Sequence, residues 1–178
     1  MFEPKSLDFG FVVLCTEPHV KSLKNTLKSV CLSYPEHPFI TVAAGSIPAD
    51  AVNEMKKLCK KTIKSKNTIT SLLNTGLRNA PAEWVIFLCA GIWIKRKVCK
   101  NLSRFIDDDT DVVYPIVEGI HKWKDCSLNG LCINKKMIKK VGPFPEKGKL
   151  DHCKEMWGLM ATVACNSKFK AVLGGSVD

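Results

Sequence analysis

The chain has 178 residues, 46% hydrophobic and 25% charged, a balance that fits one soluble globular domain and excludes a disordered or fibrous chain. No apolar run approaches the roughly 20 residues that cross a bilayer, so no transmembrane segment is expected. A net charge of +10 points to polyanionic partners: nucleic acid, an anionic membrane or a phosphorylated small molecule. Aromatic residues make up only 8%, few to interleave with the lysine clusters, so nucleic acid is expected to bind at most non-specifically. The opening "MFEPKSLDFG" lacks a basic segment followed by an apolar stretch, which predicts a cytoplasmic protein without a signal peptide. The nine cysteines include no Cys-x-x-Cys pair and predict small buried hydrophobes, not a disulfide framework or a zinc site.

In chain order, "FGFVVLC" is a short β-branched run suited to a strand buried on both faces, ending at Thr16-Glu17-Pro18. Val20 to Ser33 carries Val20, Leu23, Leu27 and Val30 at helical spacing. "PFITVAA" predicts a second strand that ends at Gly45-Ser46, and Ala49 to Lys60 a second helix. "TIKSK" is a short strand, Thr68 to Asn79 a third helix stopped by Ala80-Pro81, and "EWVIFLC" another strand. Lys95 to Phe105 reads as helix, and Asp107, Asp108, Asp109 and Asp111 as solvated acids of a turn that leads into "DVVYPIV". A strand "SLNGLCIN", a helix Lys135 to Val141, a helix Asp151 to Ala164 and a strand "FKAVLGG" complete the series. Alternation of strand and helix in the first half predicts an α/β fold with a mostly parallel central sheet flanked by helices, a Rossmann-like three-layer α/β/α sandwich. No repeat or linker interrupts it, so residues 1–178 are expected to form a single domain.

Taken in order, three stretches resemble a family 2 glycosyltransferase of the GT-A, nucleotide-diphospho-sugar transferase fold. "FVVLCTEPHVKSLKNTLKSVCLSYPEHPFITVAAGS" is similar to the family opening, "SLLNTGLRNAPAEWVIFLCAGIWI" to the stretch that delivers the metal-binding acids, and "SLNGLCINKKMIKKVGPFPE" to the acceptor-side segment. The resemblance implies transfer, or only binding, of a sugar from a nucleotide-diphospho-sugar. It also implies where the parts should lie: Thr16, Glu17, Ser46, Asn74, Cys89, Gly91, Lys95 and Arg96 toward the donor, and His121 and Trp123 toward the acceptor. Asp151 or Glu155 stands where the family has a carboxylate that deprotonates the acceptor hydroxyl.

The Asp-x-Asp element of such enzymes falls on Cys89-Ala90-Gly91, which offers no carboxylate to a hard cation. No divalent metal cofactor is therefore expected, with Lys95 and Arg96 neutralising the diphosphate instead. Two other readings stand beside the transferase: a non-catalytic protein of the same fold that binds a ligand or partner, and a basic nucleic-acid-binding protein.

Overall fold

The computed structural model describes residues 7–59, 61–116, 123 and 126–173. Its centre is β1 (Phe9–Cys15), an apolar run buried at every position. Beside it run β2 (Phe39–Ala44) and β4 (Trp84–Cys89), both parallel to it, and β3 (Thr62–Ser65) extends the sheet beyond β2. On the other side follow β6 (Cys132–Asn134), β5 (Thr110–Ile116) and β7 (Lys168–Leu173), giving the order β3-β2-β1-β4-β6-β5-β7. Only β6 runs against the rest, pairing antiparallel with both β4 and β5. The sheet is thus mostly parallel, as the alternation of elements predicts.

Successive β1 side chains point to opposite faces, and each face meets its own helix. Phe11 meets the Tyr34 ring at the end of α1 (Val20–Ser33), with centroids 4.9 Å apart. Its neighbour Val12 meets Gly76 of α3 (Ile69–Asn79) on the other face. Helix α2 (Ala49–Leu58) packs with α1, and α6 (Leu150–Leu159) packs with α3, which completes the three layers. Thr68 caps α3 by accepting the Ser71 N–H at 3.2 Å. Beyond α3, Trp157 of α6 is buried against Phe144, the two rings stacked with centroids 4.3 Å apart.

Three elements differ from the sequence expectation. The helix expected over 95–105 is reduced to α4 (Val98–Ser103), because Lys95 to Lys97 is held in a non-helical turn by Tyr34. The strand expected over 127–134 begins only at Cys132, since Leu128 to Gly130 form a turn. The short helix before the 142–148 turn is α5 (Met137–Lys140), and α6 continues through a π-helical turn, Met160–Ala164. All nine cysteines are free, and six of them are buried: Cys15, Cys59, Cys99, Cys126, Cys132 and Cys153. No helix among the described residues is long and apolar enough to cross a membrane.

Gly76 is where helix and sheet approach most closely. A methyl group there would lie 2.6 Å from Val12 Cγ1 and 3.0 Å from Phe87 Cε1. Both contacts are buried and one is β-branched, so neither can swing aside. Alanine gains about 1 kcal/mol in helix propensity, but overpacking of this kind costs about 1–3 kcal/mol. Gly76→Ala is therefore expected to lower stability in urea denaturation; a raised midpoint would show that α3 can retreat from the sheet.

Candidate functional site

The register aligns the carboxyl ends of three strands. Cys15 pairs with Ala43, and Leu14 pairs with Cys89. Thr16-Glu17, Gly45-Ser46 and Cys89-Ala90-Gly91 therefore share one sheet edge, the edge outside which ligands bind in open α/β sheets. Glu17 opens an exposed 3-10 turn, Glu17–His19, and Thr16 Oγ1 lies 2.9 Å from His19 Nδ1. The Ser46 amide donates to Asn67 Oδ1 at 2.7 Å, which leaves the exposed Ser46 hydroxyl toward solvent.

The segment after β4 is fastened to α1 by a row of polar side chains. Thr26 Oγ1 accepts the Gly91 N–H at 2.9 Å, and Ser29 Oγ accepts the Ile94 N–H at 3.1 Å. Ser33 donates to the Ile94 carbonyl at 3.1 Å, and Tyr34 donates to the Lys95 carbonyl at 2.8 Å. Tyr34 also accepts the Cys99 N–H at 3.2 Å. Thr26 and Ser29 are fully buried, so these bonds form away from water, where an unmade one is costly.

This row redirects the chain. From Thr26 to Tyr34 the helix advances about 12 Å away from the carboxyl edge, and the 91–95 segment runs beside it. Lys95 and Arg96, expected to contact a diphosphate, are thereby carried toward the other end of α1 and are not brought together with Thr16, Glu17 and Ser46. The amides of Cys89, Ala90 and Gly91 donate to Asn129 Oδ1, the Leu14 carbonyl and Thr26 Oγ1. None of the three is left to cradle a phosphate. Ala90 is buried at 3% exposure, whereas Cys89 is half-buried and Gly91 exposed with φ +107°, so positions 89 and 91 face the edge. Burial pushes the Cys89 thiol above its ordinary pKa, which keeps it protonated and unreactive.

Asn74 has its side-chain amide committed inside the protein. It is buried in α3, its Nδ2 donates to the Phe144 carbonyl at 2.9 Å, and its Oδ1 accepts the Phe144 N–H at 2.8 Å. Its amide thus fastens the 142–148 turn to α3. Nδ2 also donates to Glu146 Oε1 at 3.4 Å, and Glu146 pairs with Lys66 at 3.3 Å. Trp123 is no open stacking platform: it lies edge-on to Tyr114 and Phe169, covers Gly158, and donates from Nε1 to the Lys154 carbonyl at 2.7 Å. His121 lies outside the described residues. Asp151 and Glu155 are exposed on α6, and Asp151 sits 3.6 Å from the ammonium of Lys154, which is itself buried and bound to the Cys126 carbonyl at 3.0 Å.

A separate group of residues occupies the opposite edge, where β1, β4 and β5 begin. A cavity of about 460 Å³ there is lined by Glu83, Trp84, Asp107, Thr110, Asn134 and Lys136 among others. Asp111, expected with its neighbours to be a solvated turn acid, is instead buried, 3.1 Å from Lys136 Nζ and 2.9 Å from Lys140 Nζ. Asp108 and Asp109 are exposed, as the turn reading expects.

Two outcomes follow from these contacts. Ser29→Ala orphans the buried Ile94 N–H and should cost about 1–3 kcal/mol, with faster amide exchange from Gly91 to Cys99; unchanged exchange there would show that the segment holds without α1. Burial alone would raise the Asp111 carboxyl, but the hydrogen bonds from Lys140, Lys136 and the Lys168 amide outweigh it and hold it below its ordinary value. A lowered pKa contributes stability that is complete above the ordinary aspartate value of about 3.9 and is lost as pH falls through the folded value. Stability should accordingly decline below about pH 4, less steeply in Asp111→Asn; identical slopes for the two proteins would contradict the pairing.

No family model matches the sequence, and no curated relative is similar to it. Solved structures do share its shape. Residues 1–349 of S. aureus TarS superpose with a TM-score of 0.62 at 16% identity, over 92% of this chain and 58% of that one. Glucosyl-3-phosphoglycerate synthase from Mycobacterium tuberculosis gives 0.67 at 8% identity, over 92% of this chain and 69% of that one. A cytidylyltransferase from Leptospira borgpetersenii gives 0.62 at 8% identity, over 94% and 76%. The chain thus spans 58% of the TarS 1–349 structure and 35% of the longer TarS structure. The synthase structure holds Mn²⁺ together with UDP, which overturns the expectation, drawn from Cys89-Ala90-Gly91, that this chain has no divalent metal cofactor. The residues at 89–91 still supply no carboxylate, and the described residues contain no group of three His, Cys, Asp or Glu placed to hold an ion. In strand order, layers and outline, the chain has the nucleotide-diphospho-sugar transferase fold.

Proposed function

We propose that this chain is a glycosyltransferase-like protein that binds a nucleotide-diphospho-sugar outside the carboxyl ends of β1, β2 and β4. The observation that carries the reading is the convergence of three strand ends on one edge, in the strand order of a fold whose solved members include complexes with UDP. Thr16, Glu17 and Ser46 are the polar side chains at that edge, suited to hydrogen bonds with a base or ribose. Cys89 and Gly91 form its floor. Asp151 and Glu155, exposed on α6, are the carboxylates assigned to an acceptor hydroxyl. One domain spanning residues 1–178 and a reducing, cytoplasmic setting belong to the same proposal, the latter supported by nine free cysteines.

A second reading, binding without transfer, is favoured by one set of contacts. The amides of residues 89–91 donate within the protein and the Lys95 carbonyl is bound to Tyr34, so neither those amides nor Lys95 is placed to give the electrostatic stabilisation that a leaving diphosphate requires. Thermal shift with UDP-, CDP- and GDP-sugars, each with and without manganese, tests the binding shared by both readings. A ligand at 100 times its Kd adds about 2.7 kcal/mol, so a bound sugar nucleotide should raise Tm, and Thr16→Ala with Ser46→Ala should reduce the rise. No shift with any donor, with or without the metal, would remove both readings. Release of nucleoside diphosphate on adding acceptor sugars would select transfer over binding.

A further inference from the structure

The positive charge is not spread evenly. Helix α1 contains three lysines and no acid, and the segment Ile92–Phe105 contains five lysines or arginines and no acid. Thr26, Ser29, Ser33 and Tyr34 bind these two elements to each other, so they form one continuous surface. Lys21, Asn25, Lys28 and Leu32 recur at helical spacing on the solvent side of α1, and all four are exposed. Within this field stand two large apolar side chains, Leu32 at 63% and Trp93 at 59% exposure. They lie at the same level of the helix: Leu32 precedes Ser33, Trp93 precedes Ile94, and Ser33 binds the Ile94 carbonyl.

We propose that this face docks on an anionic lipid bilayer. Tryptophan settles at the headgroup level of a membrane, and leucine gains by entering the acyl boundary. Lysine and arginine around them are drawn to the acidic headgroups, and each adds to the attraction near the surface. Leu32 separates a bilayer from a nucleic acid, because single strands are held by aromatic stacking and cations and offer an aliphatic side chain no partner. The charge also separates this face from another exposed apolar row, Met156, Leu159, Met160 and Val163. That row lies on the opposite side of the sheet and shares its helix with Asp151 and Glu155. The proposal does not depend on the nucleotide-sugar reading.

Flotation of the full chain with vesicles tests it, comparing phosphatidylcholine alone with phosphatidylcholine carrying about 30% phosphatidylserine. Binding to the acidic vesicles should be at least about ten-fold stronger and should weaken as salt is raised. Lys21→Glu with Lys28→Glu should lower it by more than about ten-fold. Leu32→Ser with Trp93→Ser should lower it several-fold while leaving the circular dichroism spectrum and Tm in place, since both side chains are exposed. Equal binding to neutral and acidic vesicles, undiminished binding by either folded double variant, or tighter binding to a single-stranded oligonucleotide at the same salt would overturn the proposal.

Discussion

Three polar side chains of α1 and the tyrosine that ends it determine where the chain goes after its central strands. Thr26, Ser29, Ser33 and Tyr34 take up backbone groups from Gly91 to Cys99, two of them from fully buried positions. A buried hydroxyl or amide without a partner costs more than the bond itself contributes, so the segment has one arrangement in which every group is satisfied. That arrangement closes the end of β4 against α1. It also carries Lys95 and Arg96 away from the edge and joins the cations of the segment to those of α1.

The same logic operates on the other face of the sheet. Asn74 exchanges two hydrogen bonds with the backbone of Phe144, which stacks on Trp157. One buried amide thereby links α3, the 142–148 turn and α6. With Gly76 allowing α3 to lie close on Val12 and Phe87, the sheet is clamped between two helices that each reach across to a distant loop. The carboxyl ends of β1 and β2 lie between these clamps, and there Thr16, Glu17 and Ser46 remain exposed or half-buried.

The sheet was legible because its strands are chemically simple. "FGFVVLC", "FITVAA" and "WVIFLC" are continuous apolar runs, which only a strand covered on both faces uses. Their common edge followed from right-handed parallel crossovers. The path of 91–97 was not legible, since nearness in sequence to Cys89–Gly91 says nothing about the direction of an extended segment. A signal did exist: Thr26 and Ser29 occupy inward positions of α1 among Leu23, Leu27 and Val30, and a hydroxyl in such a place needs a partner from elsewhere. Asn74, on the inward face of α3, carried the same signal. Trp123 and Asp111 depended on contacts with residues far along the chain, Gly158 and Lys136 with Lys140, which no local pattern encodes.

The central claim is that the ligand edge is the carboxyl edge of β1, β2 and β4, and not the cavity at the opposite edge. Hydrogen–deuterium exchange with and without a saturating sugar nucleotide, in the presence of manganese, tests it most directly. The account predicts slowed exchange at Thr16–His19 and Gly45–Ile47, with residues 83–84, 107–110 and 134–136 unchanged. Protection confined to those latter segments would place the ligand at the wrong end of the sheet and contradict the account.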